Sequence, residues 1–408
     1  MKDNIYSIWS RLRIWTKMGL CLMFGILSLV SCKDDFDVEK LQDSSRLVVY
    51  CFPTEGDTTL IAVSKSLPVA SFKGDMYVQS QQAVDAHIIY KVNGVDLPVK
   101  RIETLKEARL FSTSNVEEHL ARLVGQYYVV GKQKEGDNVH VQVSADGFSS
   151  VSASTYIPNQ VNIQMGDVRF DEKSSDADSY SRVDKIEATF QDDASTQDYY
   201  SVMVKLRQKE GTAMGTRIWN DGFREDRDTA YVDHSKEYFA SSAVGFVFDF
   251  GSLPWVTRDI EVSTMGEPLL NKKTKLNDDF GFDDYSFYGN SYIFNDRTIN
   301  GQSYILHLEA LSADMHADEY DDNGTWDWVF GYDYVVELYK MTPEYYRFLK
   351  SINDAQSNEW ADAGLMQVTP TYSNVNGGFG IVAGYNVSTS TKHFKPTRRD
   401  RDDIIYTN

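Results

Sequence analysis

Residues 372–386 read YSNVNGGFGIVAGYN, and their conformation decides between two fold classes. Gly378, Gly380 and Ala383 fall at the spacing of a G-x-G-x-x-A dinucleotide fingerprint. That fingerprint works when a strand delivers the glycines to a helix N-terminus whose bare N–H groups meet a pyrophosphate. The residues that continue it, IVAGYNVSTST (381–391), favour a strand over a helix. Only 24 residues follow Gly384, too few for a further βαβ unit with its acidic ribose-binding strand. The stretch is therefore expected to be a bend or bulge between extended segments, where glycine permits positive φ or a close backbone approach.

The rest of the chain repeats that β pattern. RLVVYCF (46–52), TLIAVSKS (59–66), AHIIYKV (86–92), YYVVGKQ (127–133), VHVQVSA (139–145) and SVSASTYIP (150–158) alternate polar and apolar residues, with turn signals such as Asn93-Gly94 and Asp146-Gly147 between them. An antiparallel sandwich is expected over 46–158. A short surface helix interrupts it at SNVEEHLARLVG, with Ser114 or Asn115 as N-cap and Gly125 as stop. Beyond Pro158 strand material resumes in a larger antiparallel β-sandwich-type domain, 159–392, followed by a tail, 393–408, in which Ile404, Ile405 and Tyr406 could form a last edge strand. The second half has one convincing helix, near 342–357, with Thr342 as N-cap, Pro343 at N1 and an apolar stripe that would pack it on a sheet.

The first residues read as an address. Lys2, Arg11, Arg13 and Lys17 precede a 13-residue apolar run, Met18–Val30, too short to span a bilayer but suited to a secretory signal. Residues 1–31 are expected to be that signal. LVSC (29–32) resembles a bacterial lipobox whose Cys32 is acylated. Lys33, Asp34 and Asp35 open an acidic tether, 32–45, resembling the export signal of surface lipoproteins of the Bacteroidota. Acyl chains anchor a protein without threading it through the bilayer. The expected location is the outer membrane, lipid-anchored and facing outward. With Cys21 removed and Cys32 lipidated, Cys51 is the one free thiol, expected to be buried in a strand.

Removing residues 1–31 leaves 377 residues with 37 basic and 59 acidic side chains, a net charge of −22. Such a surface repels phosphate backbones and argues against nucleic acid. Neutral sugars, peptides, cations and other proteins remain as partners.

The closing stretch also carries a family likeness. PEYYRFLKSIN (343–353), a spacer and VTPTYSNVNGGFGIVAGYN (368–386) resemble the closing signature of a family of Bacteroidota lipoproteins, domain-of-unknown-function family 4249. DYYSVMVKL (198–206) and DDYSFYGNSYIF (283–294) are similar to its inner segments. The likeness covers roughly Leu47 to Asn386. It implies an Ig-like or transthyretin-like β domain followed by a larger β-rich one, on an outer-membrane lipoprotein often encoded beside TonB-dependent receptors. It carries over no catalytic residue. The expected role is a binding or accessory component beside such a receptor in nutrient uptake. A surface hydrolase of glycans or peptides and a structural or adhesion module are the alternatives.

Two further features suggest ligand chemistry. In the loop 312–333, Glu319, Asp321 and Asn323 before Gly324, with Asp327 at the ninth position, mimic the opening of a calcium loop, but Phe330 replaces its acidic closure. Calcium is the one cofactor this suggests, against a plain acidic hairpin. Trp326 and Trp328 share a parity and would face one way on a strand, as a stacking platform for sugar rings or as core. The seven histidines are far apart, and no nucleophile elbow or P-loop occurs, so the chain does not read as an enzyme.

Overall fold

A computed structural model describes residues 45–66, 83–112, 117–175, 182–209, 211–218, 225–233, 236–239, 245–249, 255–270, 292–311, 326–329, 332–356, 370–394 and 405–407, with the backbone alone for 211–249, 326–329 and 405–407. It is mainly β, built of antiparallel sheets packed as sandwiches, with few short helices.

The first sandwich pairs a five-stranded and a four-stranded sheet. In the larger, the strands follow the spatial order Phe379–Val382, Leu47–Cys51, Gly56–Lys65, Tyr127–Gln133, Val99–Arg101. In the smaller the order is Val95–Leu97, His87–Val92, Asn138–Ser144, Val151–Tyr156. Period-two patterning decides which side chains face inward: Val139, Val141 and Val143 are buried while His140 and Gln142 point out. They meet Leu47, Val49, Ile61, Val63 and Tyr90 in one core. The Asn93-Gly94 turn joins its hairpin with φ 50° and 82°, the left-handed pair a two-residue hairpin demands. Cys51 is a buried strand thiol, and burial pushes its pKa up. The short helix Glu117–Ala121 buries Leu120, and the turn that follows it closes at Gly125, φ 90°; the expected N-cap at Ser114 or Asn115 lies outside the described residues.

The second sandwich has its own core, centred on Tyr200, Val202, Val204, Ile186, Phe190, Leu306, Leu308, Tyr334, Val336 and Leu338. One sheet runs Val262–Ser263, Ser303–Leu311, Arg182–Gln191, Ile163–Lys173; the facing one runs Trp255–Ile260, Tyr199–Lys209, Tyr332–Met341, Tyr385–Phe394. A further six-stranded sheet ends in Ile405–Thr407, parallel to Gly245–Asp249, so the tail does contribute an edge strand. The helix Pro343–Gln356 lays Phe348 and Leu349 against Ile293, Met341 and Ile381. Thr342 precedes it, and its carbonyl accepts from the Tyr346 N–H at 3.1 Å. Its hydroxyl, however, is buried without a hydrogen-bond partner among the described residues. Thr342 therefore occupies the capping position without using its side chain.

The closing stretch joins the two cores. Phe379–Val382 lies parallel to Leu47–Cys51, with Gly380 opposite Val49, so the chain's far end forms the edge of the first sheet. Asn374 covers that edge: its side chain accepts from Val382 N at 2.9 Å and donates to Val382 O at 2.8 Å, standing in for a neighbouring strand. Ala383 N then donates to Cys51 O and Gly384 N to the Thr155 hydroxyl, before Tyr385–Phe394 enters the second sandwich beside Tyr332–Met341. Gly380 has φ 99°, and a Cβ there would overlap the Val49 carbonyl; one at Gly384 would overlap the Tyr156 carbonyl. A Cβ at Gly378 would likewise overlap the Leu47 carbonyl, so both glycines of the dinucleotide spacing, Gly378 and Gly380, mark backbone contacts that tolerate no side chain.

Gly136 also has positive φ, 82°, but a Cβ there meets nothing within 4 Å. Gly136→Ala is expected to cost about 1 kcal/mol through backbone strain. Gly380→Ala should cost about 3 kcal/mol or more, because strain and overlap add. Equilibrium denaturation of the two variants checks the difference.

Candidate functional site

Two polar constellations stand out, both in the second sandwich and both assembled by strand register. The first lies where four strand ends meet. Asp192 follows Arg182–Gln191, Asp198 precedes Tyr199–Lys209, Asp296 follows Tyr292–Asn295, and Lys340 stands near the end of Tyr332–Met341, directly opposite Tyr200. All four are almost fully buried. The Lys340 ammonium lies 2.6 Å from an Asp198 oxygen and donates to Asn159 Oδ1 at 2.8 Å. The Tyr200 hydroxyl donates to Asp192 at 2.6 Å, whose other oxygen accepts from Gly301 N at 2.7 Å. Asp296 accepts from Asp198 N at 2.6 Å and returns its own N–H to Asp198 O at 3.2 Å.

One ligand atom from each of Asp192, Asp198 and Asp296 lies within 4.8 Å of the others, a spacing at which carboxylates can share a cation; this is the one such group among the described residues. Lys340 fills part of that role as a built-in counter-ion. One ammonium against three carboxyls leaves an excess of negative charge in a medium that penalises it. The response is visible at Asp296, whose pKa is raised, first by burial and then by the Asp192 and Asp198 charges. Tyr200 is likewise pushed up, by burial and by its bond to Asp192.

The second constellation is a row across the outward face of the sheet. Odd-numbered residues lie on the face away from this core, since Val204, Leu206, Tyr334 and Val336 fill it, although Asp333 and Val335 are themselves buried there. Arg207, Asp333 and His393 stand directly opposite one another on three adjacent strands. Arg207 donates from Nε to Asp333 Oδ2 at 2.7 Å and from Nη2 to the same oxygen; Nδ1 of His393 is 2.7 Å from Oδ1. Trp255, opposite Lys209 on the next strand, carries the Arg207 guanidinium 5.1 Å from its ring centroid. Along the same face Lys205 pairs with Glu337 at 2.8 Å, which also accepts from the Tyr339 hydroxyl.

The residues singled out from sequence fall elsewhere. Cys32, Lys33, Asp34, Asp35, Glu319, Asp321 and Asn323 lie outside the described residues. Trp326, Asp327 and Trp328 have a described backbone: they occupy Trp326–Val329, antiparallel to Lys236–Phe239, with Trp326 opposite Phe239 and Trp328 opposite Glu237. Positions 326 and 328 therefore share a strand parity. Neither constellation was visible beforehand, because its members are distant in sequence and converge only through register. The pair Asn300-Gly301, a turn-forming sequence, places the Gly301 amide on Asp192.

Fold and sites together define a two-core β protein whose second sandwich carries a buried charged centre and an ordered polar row on its outer sheet face. The chain belongs to the family described as a domain of unknown function, DUF4249, whose model matches residues 33–391. No curated protein matches it. No described helix is long and apolar enough to cross a membrane.

The raised Asp296 pKa fixes the sign of a pH effect. A carboxyl that holds its proton more tightly when folded contributes stability below its ordinary pKa, about 4, and loses that contribution as pH rises through its folded value. Asp296→Asn keeps an oxygen for the Asp198 N–H and removes the charge. Its melting temperature relative to the parent should therefore increase between pH 4 and pH 8. Asp296→Ala, which orphans that N–H, should instead lose about 2 kcal/mol. Calorimetric melts across this range check both.

Proposed function

We propose that this protein is a lipid-anchored lipoprotein on the outer face of the outer membrane, serving as a binding component beside a TonB-dependent receptor in nutrient uptake. The observation that carries the reading is the junction at 29–35: a short apolar run ending in LVSC, then Lys33, Asp34 and Asp35. Acyl chains on Cys32 hold the protein at the membrane, since each buried methylene contributes about 0.8 kcal/mol and more than one chain makes attachment stable. Only 13 residues separate Cys32 from Arg46, where the first strand's segment begins. The β scaffold is thereby kept close to the bilayer, at high effective concentration for a transporter in the same membrane.

The fold supports this reading through its rigidity. Binding groups set on strands of a packed sandwich are held more firmly than groups on loops, and the outward face offers such groups in a fixed row. The negative surface favours uncharged or cationic ligands over anionic ones.

Metabolic labelling with an alkyne-tagged palmitate tests the anchor. Wild-type protein should incorporate label and be degraded by protease added to intact cells. Cys32→Ser should carry no label, and Asp34→Ala with Asp35→Ala should keep the label but become protected from protease. Recovery of a stoichiometric TonB-dependent receptor after mild crosslinking and affinity purification is the expected result for the partner. Recovery of no membrane protein would refute that part.

A further inference from the structure

We infer that the outward row Trp255–Arg207–Asp333–His393 is a binding site for a neutral oligosaccharide. It begins with an imbalance of burial. Asp333 is 3 % exposed, yet it spends both oxygens on side chains that are half in solvent, Arg207 at 43 % and His393 at 49 %. A buried carboxylate that grips two surface groups fixes their directions, as outer-shell carboxylates do for ligating histidines.

The groups so fixed present complementary hydrogen-bonding atoms. With Nε and Nη2 of Arg207 engaged, Nη1 has no hydrogen-bond partner among the described residues. Nε2 of His393, whose Nδ1 is taken up by Asp333, likewise has no hydrogen-bond partner among the described residues, and in the Nδ1–H tautomer it accepts. Arg207 and His393 therefore present a donor and an acceptor from strands two spacings apart, about 10 Å between their backbones. Sugar hydroxyls both donate and accept, and a chain of two rings spans such a distance.

Charge narrows the class. Arg207 is neutralised by Asp333 and Lys205 by Glu337, so the row carries no net charge to attract an ion of either sign. The surrounding protein, formally −19 over the whole chain, repels anions. Trp255, 43 % exposed, adds an amphipathic ring beside the donors, oriented by the guanidinium at 5.1 Å. The C–H face of a pyranose matches an indole, whereas an anion bound through the polar groups would gain nothing from the ring. The site supplies binding alone.

This inference deepens the capture role proposed above and rests on it for its biological setting, but its chemistry is testable in the purified protein. Maltohexaose, xylohexaose, mannohexaose and cellohexaose serve as neutral probes, with polygalacturonate as the acidic comparator. They are titrated by calorimetry into the full-length protein in detergent. At least one neutral probe should bind, with Trp255→Ala weakening it at least tenfold and Trp255→Phe only a few-fold. Asp333→Asn should weaken the same probe, and its circular dichroism and melting curve should show that the fold persists. Should the fold not persist, Trp255→Ala, on an exposed edge strand, remains the deciding variant. Binding of no neutral probe, binding of the acidic polymer alone, or binding indifferent to Trp255→Ala would each overturn the assignment. Cys32→Ser should leave the affinity unchanged, so a failed anchor and a failed site give different results.

Discussion

The structure depends on a contact between two stretches of backbone. Where Gly380 passes Val49 and Gly384 passes Tyr156, the main chains approach so closely that no Cβ fits. This closeness lets Phe379–Val382 complete the first sheet beside Leu47–Cys51, while the residues that follow it immediately enter the second sandwich. Strand pairing between residues so distant in sequence carries a loop-closure cost. Here it is offset by backbone bonds, by the bidentate grip of Asn374, and by burial of Ile381, Val382 and Ala383. Both cores belong to one compact unit, in keeping with this shared segment.

Polar groups reinforce the same junction. Between the sandwiches, Pro158 O accepts from Asn386, Asn159 accepts from Lys340, and Gln160 donates to Val387 O. Lys340 is also the counter-ion of the buried carboxylates. The linker is therefore tied by one side chain to the charged centre at the end of the second core. Buried ion clusters are poor sources of net stability, because desolvation offsets much of the attraction. Their geometric demand is strict, however, and here it sets how four strand ends converge. The outer row follows the same principle with the opposite exposure: the carboxylate is inside, and the groups it directs are outside.

Much of the fold was legible in the sequence, and the reason is local. Alternation such as NVHVQVS at 138–144 assigns faces without knowledge of partners, and Asn93-Gly94 dictates its own turn. The glycines at 378–384 read as a bend or bulge where glycine permits positive φ or a close approach; Gly380 shows both, within a strand, but nothing local identified Leu47–Cys51 as the strand approached. Thr342 shows a different limit: position and neighbours marked a cap, yet burial left its hydroxyl without a donor. The polar constellations were illegible for a third reason. Asp192, Asp296 and Lys340, or Arg207, Asp333 and His393, are ordinary charged residues in an acidic chain until strand register sets them side by side. The resemblance of 343–386 to its family was specific, and it described kinship without chemistry.

Native-state hydrogen exchange tests most directly whether the closing segment joins the two sandwiches into one cooperative structure. The amides of Ala383 and Gly384, bonded to Cys51 O and the Thr155 hydroxyl, should exchange with the same opening free energy and denaturant dependence as amides in Leu47–Cys51 and in Tyr332–Met341. Exchange of Ala383 and Gly384 through a low-energy opening, while both cores stay protected, would contradict the account.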